Sequence, residues 1–131
     1  MNKSFLKIFI VLVTGIFSFS SFADINEDLA NICTIVKNDD KSELRKKLNK
    51  VKRDYSVRVG DYYTGISCGG ESLIRYAMSN GSNKTGEYII KKMRKSDLDE
   101  AESDGKTVKQ WAEENGHIGS PIGAALLDRL N

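Results

Sequence analysis

A serine in a glycine-rich segment is the first residue whose surroundings suggest chemistry. Residues 65–69, GISCG, have the pattern Gly-x-Ser-x-Gly of the nucleophile elbow in α/β-hydrolases. That mechanism needs Ser67 on a sharp strand-to-helix turn, with a histidine base and an acid. His117 is the single histidine, and its Gly-His step favours a backbone contact. We therefore expect no catalytic residue, and a small cell-envelope hydrolase remains the alternative.

The two cysteines of the chain, Cys33 and Cys68, stand 35 positions apart. An even pair in an exported chain predicts a disulfide bond, because such chains mature in an oxidising compartment. Two buried free thiols are the alternative. Two cysteines and one histidine do not complete a zinc site, so we expect no metal and no cofactor.

Five acidic residues gather within residues 97–104. They are Asp97, Asp99, Glu100, Glu102 and Asp104. Their spacing lacks the central glycine of a calcium-binding loop. The pattern therefore predicts a solvated linker.

The first 23 residues have the order of a secretory signal peptide. Lys3 and Lys7 accompany an almost wholly apolar segment over 5–19, whose uninterrupted run is 8–19, and Ser21 and Ala23 place small side chains at the two positions that a signal peptidase recognises. The run is short for a bilayer span, which needs about 20 apolar residues. A retained anchor is the alternative. We expect a periplasmic or secreted chain that begins at Asp24 and has no membrane span.

Charge argues against a nucleic-acid partner. The whole chain has 20 Lys and Arg against 18 Asp and Glu, and loss of Lys3 and Lys7 leaves 18 of each. A neutral balance gives no long-range attraction to a phosphate backbone. Residues 24–131 suffice for one domain with one modest core.

The second half of the chain repeats itself with an offset of 35 residues. GESLIRYAMSNGS, from Gly70, aligns with GKTVKQWAEENGH, from Gly105. Each segment predicts a capped helix that ends at Asn-Gly, a pair suited to a left-handed stop. Thr107 and Gln110 form a capping-box pattern.

A second helix is expected after each repeated segment, over 86–94 and over 121–130, where Ser120-Pro121 marks the start. Helices over 26–37 and from Ser42 onward follow the same plan without the glycines. A period of this length predicts an all-α fold of about three stacked antiparallel helical hairpins. Ala77 and Ala112 should be buried where paired helices approach.

Residues 54–69 differ in character from the helical segments. Val57-Arg58-Val59 and Tyr62-Tyr63-Thr64 flank Gly60-Asp61, a pattern typical of a small β-hairpin with a two-residue turn. An irregular ordered loop is the alternative.

The repeated segments resemble ankyrin repeats. Asp104-Gly105-Lys106-Thr107, Ala112, Gly116-His117 and Ala125-Leu126-Leu127 stand in the ankyrin order. The resemblance covers 104–130 and 70–95, and more loosely 29–51. Val108 replaces the usual proline and Lys109 the usual leucine, so an unrelated helical array remains the alternative.

The mature chain is also similar to small exported bacterial proteins of the family called domain of unknown function 3718. The resemblance rests on the segments 32–36 (ICTIV), 39–42 (DDKS), 65–73 (GISCGGESL) and 86–89 (GEYI). That family carries no established activity. The resemblance therefore implies the fold and the cysteine pair, and no mechanism.

Aromatic residues are the best candidates for partner contacts. In ankyrin-like register Tyr76 and Trp111 face the groove of the stack, and Tyr62 and Tyr63 extend that surface at one end. The spacing of Val108, Trp111 and Ala112 instead favours the core. Together the patterns favour a non-catalytic binding module that recognises a protein or peptide; an envelope protein with a structural or stress-accessory role and no discrete ligand is a further alternative.

Overall fold

The computed structural model describes residues 24–131, and in this range the chain is helical with no β-strand. The predicted signal peptide, residues 1–23, lies outside the described residues. The chain divides after Ala30 into two compact units. The described part of the first unit is a helical turn at 24–28, after which the Leu29 amide donates to the Ile25 carbonyl at 2.9 Å.

Eight helices make up the second unit, residues 31–131. They are α1 (Ile32–Lys37), α2 (Lys41–Tyr55), α3 (Val59–Tyr62), α4 (Leu73–Asn80), α5 (Asn83–Lys92), α6 (Lys95–Leu98), α7 (Val108–Glu114) and α8 (Pro121–Leu130), with a 3-10 turn at Tyr63–Gly65. The all-α prediction is confirmed.

The prediction of one continuous helix over 26–37 is wrong. Asn31 has a φ of 66°, which is the left-handed conformation, and α1 starts at the next residue. A left-handed residue cannot continue a right-handed helix, and asparagine adopts this conformation more easily than most residues.

Helices that neighbour one another in the predicted repeats also pack together. Helix α1 contacts α2 and α4, α4 contacts α5 and α7, and α5 contacts α2 and α8, while α7 contacts α8. The core between them contains fully buried aliphatic side chains: Val36, Leu44, Val51, Leu73, Ile74, Ile89, Ile90, Ile122 and Leu126.

Small residues allow the closest helix contacts. Ala77 and Ala112 are 0% exposed, as the repeat alignment predicts. Gly86 of α5 faces Ala77 and Ile122 so closely that a Cβ placed on it would lie 3.1 Å from Ala77 Cβ. The glycine therefore lets α4, α5 and α8 meet at one point.

Several helix ends follow the local sequence signals, whereas Ser72 makes no side-chain cap bond at the start of α4. The Gln110 amide donates to Thr107 Oγ1 at 3.1 Å, and the Thr107 amide donates to Gln110 Oε1 at 2.9 Å, which completes the predicted capping box. Ser120 Oγ accepts from the Gly123 amide at 3.1 Å and caps α8. Gly81 and Gly116 have φ values of 64° and 76°, so both Asn-Gly stops are left-handed.

The hairpin predicted within 54–69 is wrong. This segment instead forms α3 and the 3-10 turn. The carboxylate of Asp61 accepts the Arg58 amide at 2.8 Å and satisfies the first turn of α3. Gly60 packs directly against Asp97 at α6, a contact that the local sequence does not show.

No helix within residues 24–131 combines the length and the hydropathy that a bilayer crossing requires.

Candidate binding site around Arg75

A disulfide bond joins Cys33 of α1 to Cys68, with the two Cα atoms 5.6 Å apart, and so confirms the predicted pair. A tight turn follows, in which the Cys68 amide donates to the Glu71 carbonyl at 2.7 Å and the Glu71 amide returns a bond at 3.0 Å. Gly69 and Gly70 both have positive φ in this turn. The disulfide therefore fixes the loop that leads into α4.

Ser67 does not occupy a nucleophile elbow. The residue is exposed, the 3-10 turn rather than a strand precedes it, and α4 begins only at Leu73. His117 stacks on Trp111, with ring centroids 5.3 Å apart and planes at 17°. Within residues 24–131 no group of three His, Cys, Asp or Glu side chains is placed to hold a metal ion.

Arg75 of α4 is the centre of the most extensive side-chain network in the described residues, and it is only 8% exposed. Its guanidinium binds Asp104 with two hydrogen bonds, from Nη1 at 2.8 Å and from Nη2 at 3.0 Å. Nη2 also donates to the Lys106 carbonyl at 3.1 Å. The Nε atom lies 2.8 Å from Glu102 Oε1, close enough for an ion pair, although the N–H is not aligned for a hydrogen bond.

Two aromatic residues complete the network. Tyr63 is buried, and its hydroxyl donates to Glu102 Oε2 at 3.0 Å and accepts from the Ile74 amide at 3.4 Å. Trp111 belongs to α7, and its ring centroid lies 5.3 Å from the guanidinium carbon of Arg75. Arg75 thus brings together two of the four aromatics that the sequence singles out.

The network shifts the ionisation of its members in consistent directions. The hydrogen bonds from Arg75, and then that from the Lys106 amide, lower the pKa of Asp104 below its ordinary value. The same bonds to Asp104 raise the pKa of Arg75. Burial, and then the charge of Glu102, raise the pKa of Tyr63, so its hydroxyl stays protonated.

The prediction of a solvated acidic linker is wrong for Glu102 and Asp97, which are only partly exposed, whereas Asp104 is exposed but forms an ion pair. The side chain of Glu102 is 13% exposed and that of Asp104 is 41% exposed, and both bind Arg75. Asp97, 19% exposed, accepts from the Arg94 amide at the start of α6.

Sequence reasoning missed Arg75. A signal was present, because Arg75 is the one charged residue in the otherwise largely apolar segment 73–78, which makes up most of α4. A charge on a helix with so much buried surface needs acidic partners.

The predicted binding aromatics are placed differently from one another. Tyr76 and Trp111 are half-buried, so their exposure lies between that of a core residue and that of an exposed contact residue. Tyr63 is buried and has little surface left for a partner. Tyr62 is half-buried and lines a separate cleft beside Tyr88. Burial, and then the charge of Asp61, raise the pKa of Tyr62.

A polar cleft of about 360 Å³ opens beside the Arg75 network. Hydroxyls, carboxylates and the guanidinium line it; these include Tyr63, Thr64, Ser67, Glu71, Arg75 and Glu102. Glu71 is oriented by a hydrogen bond that its carboxylate accepts from Ser79 Oγ at 2.8 Å. The cleft can offer both donors and acceptors to a ligand.

The α4 and α7 repeats share the same local contacts. The side-chain amide of Asn80 donates to the Tyr76 carbonyl at 2.8 Å, and that of Asn115 donates to the Trp111 carbonyl at 2.8 Å. The local structure around Tyr76 and Trp111 is therefore repeated, as the local sequence is.

Comparison with known families matches residues 32–100 to the family described as Protein of unknown function (DUF3718). The match covers more than half of the chain, and the chain belongs to this family. No curated protein and no solved structure shows a significant match.

The matched region contains contacts that explain the family-like segments in structural terms. Asp39, at a φ of 55°, accepts through Oδ1 from the Thr85 amide at 2.8 Å. The buried Thr85 hydroxyl donates to the Val36 carbonyl at 3.1 Å. These hydrogen bonds thus link the turn after α1 to the first turn of α5. The disulfide bond links α1 itself to the loop before α4.

Proposed function

We propose that this protein is a non-catalytic binding module of the cell envelope that recognises a protein or peptide. The proposal includes an ankyrin-like arrangement, in which α1–α2, α4–α5 and α7–α8 are three stacked hairpins. The contacts of α4 with α1 and α7, and of α5 with α2 and α8, support this arrangement.

The observation that carries the proposal is the repeated, half-buried placement of Tyr76 and Trp111. Fully buried aromatics at these positions would serve only the core. Partial exposure at equivalent positions of two repeats instead gives two aromatic anchors, on the contacting helices α4 and α7. Contacts with Arg75 and His117 orient the Trp111 ring before any partner arrives, which lowers the entropy lost on binding.

The polar cleft supports a peptide as the class of ligand. Its volume of about 360 Å³ falls within the range of about 300–1,000 Å³ that is usual for ligand sites. Exposed Ser67 and the oriented carboxylate of Glu71 supply hydrogen-bonding groups that match the amides and carbonyls of an extended chain.

Export is part of the proposal, and the signal-peptide pattern of residues 1–23 and the Cys33–Cys68 disulfide support it. Amino-terminal sequencing of the exported protein should find Asp24 as the first residue. A mature chain that still contains the apolar run 8–19 would contradict the periplasmic or secreted location.

Photo-crosslinking in intact cells tests the binding function. A benzoylphenylalanine placed at Tyr76 preserves much of the aromatic shape and should give a discrete crosslinked adduct. The same group placed at Lys46, which is 75% exposed on α2, is the matched control and should give none. Absence of an adduct from position 76 would favour an envelope protein without a discrete ligand.

A fluorophosphonate probe separates this proposal from the hydrolase alternative. The probe labels activated serines, and the exposed position of Ser67 outside a strand-to-helix turn gives it no activating geometry. We expect no labelling of the folded chain. Labelling that disappears in Ser67→Ala would make the protein an enzyme.

A further inference from the structure

A second cleft, of about 230 Å³, has a different chemistry from the cleft at Arg75. Half of its twelve lining residues are basic and none is acidic; the basic ones are Lys52, Arg58, Lys91, Lys92, Arg94 and Arg129. They belong to α2, α5 and α8 and to the segments before α3 and α6. Residues 24–131 carry equal numbers of basic and acidic side chains, so this concentration of one sign is local.

Most of these cations have no carboxylate partner within residues 24–131. Arg94 pairs with Asp97 at 3.3 Å and lies 3.9 Å from Asp61. The ion pairs of the described chain include none for the other five. Positive charges gathered around one cleft repel one another, and a bound anion would offset this repulsion.

Helix dipoles explain only part of this arrangement. Lys52, Lys91, Lys92 and Arg129 lie in or next to the last turns of their helices, where positive charge is favourable. Arg58 and Arg94 instead directly precede α3 and α6, at helix starts, where positive charge is unfavourable. Helix dipoles therefore do not account for Arg58 and Arg94, and of the two only Arg94 has carboxylate partners among the described residues.

Aromatic and aliphatic residues form the remaining wall of the cleft. Tyr62 and the largely buried Tyr88 line it together with Leu48 and Val59. The ammonium of Lys92 lies 5.3 Å from the centroid of the Tyr88 ring, which orients it by a cation–π contact. The Nε of Arg129 donates to the Met93 carbonyl at 3.0 Å, so this guanidinium is also oriented.

We propose that this cleft binds a small oxyanion of the phosphate-monoester type. Arginine and lysine are the side chains that recognise such groups by charge-assisted hydrogen bonds. The volume is below the usual lower limit of about 300 Å³ for drug-sized ligands, which restricts the occupant to a phosphate with a small body. The phosphate can be free in solution or carried by a lipid headgroup.

Calorimetry with the folded chain tests the proposal. Inorganic phosphate is titrated at constant ionic strength, and in parallel the chain is mixed with phosphatidylcholine vesicles that contain or lack phosphatidic acid. Lys91→Gln/Lys92→Gln should weaken binding at least about tenfold by removing two cations of the cleft. Lys84→Gln/Lys109→Gln removes the same charge from exposed positions outside the cleft and should leave the affinity unchanged.

The two arms distinguish the source of the phosphate. Saturable binding of inorganic phosphate that the cleft variant loses supports a free ligand, and binding confined to phosphatidic acid vesicles supports a lipid headgroup. Absence of binding in both arms would overturn the proposal. Equal loss in both double variants would also overturn it, because it would show a general charge effect.

Discussion

Arg75 and Asp104, 29 residues apart, form a two-pronged ion pair with nitrogen–oxygen distances of 2.8 and 3.0 Å. The pair links the loop between α6 and α7 to the first turn of α4. Glu102 and the carbonyl of Lys106 bind the same guanidinium from that loop. One buried arginine thus positions the loop that borders the polar cleft.

Arg75→Ala should lower the free energy of unfolding by about 3 kcal/mol, because it leaves the carboxylate of Glu102 buried without its cation. Urea denaturation of the two proteins measures the difference. Lys109→Ala, which removes an exposed cation, is the matched control. A decrease in the free energy of unfolding below about 0.5 kcal/mol for Arg75→Ala would be no larger than that for an exposed ion pair and would contradict the structural role of the network.

Asp104 should make stability depend on pH in the acid range. The folded state lowers the pKa of Asp104, so the unfolded state binds more protons as pH falls through the ordinary value of 3.8. The stabilisation is therefore present above that value and is lost at lower pH. The free energy of unfolding, measured between pH 6 and pH 3, should fall less steeply with pH for Asp104→Asn than for the natural chain. Parallel plots of this free energy against pH would contradict a lowered pKa of Asp104 in the folded state.

The disulfide should stabilise the fold by restricting the unfolded chain. Cys33 and Cys68 are 35 residues apart, and closure of a loop of this length is worth about 3–4 kcal/mol on the chain-entropy model. Cys33→Ser/Cys68→Ser should lose this amount in urea denaturation. Mass spectrometry of the native protein without reductant should find two hydrogens fewer than the reduced chain, and two thiols open to alkylation would refute the bond.

Ala112→Leu should destabilise the fold by about 1–3 kcal/mol, since a larger side chain has no space at a position that is 0% exposed. Ala124→Leu makes the same change at an exposed position of α8 and serves as the control. Thermal unfolding of both variants gives the comparison. Equal stability of the two would mean that close packing of α7 does not depend on this alanine.

Local signals explain why much of the fold follows from the sequence. The Thr107–Gln110 box, the Ser120 cap and the left-handed Gly81 and Gly116 each depend on residues within four positions of one another. The disulfide follows from the residue count. Such features can be read without knowing what packs against them.

Long-range contacts explain what the sequence did not reveal. Gly60-Asp61 has the letters of a hairpin turn, but Gly60 packs against Asp97, and the segment forms a helix instead. In the sequence, Glu102 and Asp104 have the pattern of a solvated linker, but in the structure both form ion pairs with Arg75. The sequence also does not reveal the basic cleft, because its cations come from four separated stretches of the chain, at 52, 58, 91–94 and 129.

The affinity of the purified chain for its crosslinked partner tests the central claim most directly. Tyr76→Ala/Trp111→Ala should raise the dissociation constant at least about tenfold, equivalent to about 1.4 kcal/mol, because it removes both aromatic anchors. Lys46→Ala is the control and should leave the affinity unchanged. The account predicts that the double variant still unfolds in one cooperative thermal transition, at a midpoint lowered by the loss of two half-buried aromatic side chains. An unchanged dissociation constant, or a collapse of the fold, would contradict a binding face at Tyr76 and Trp111.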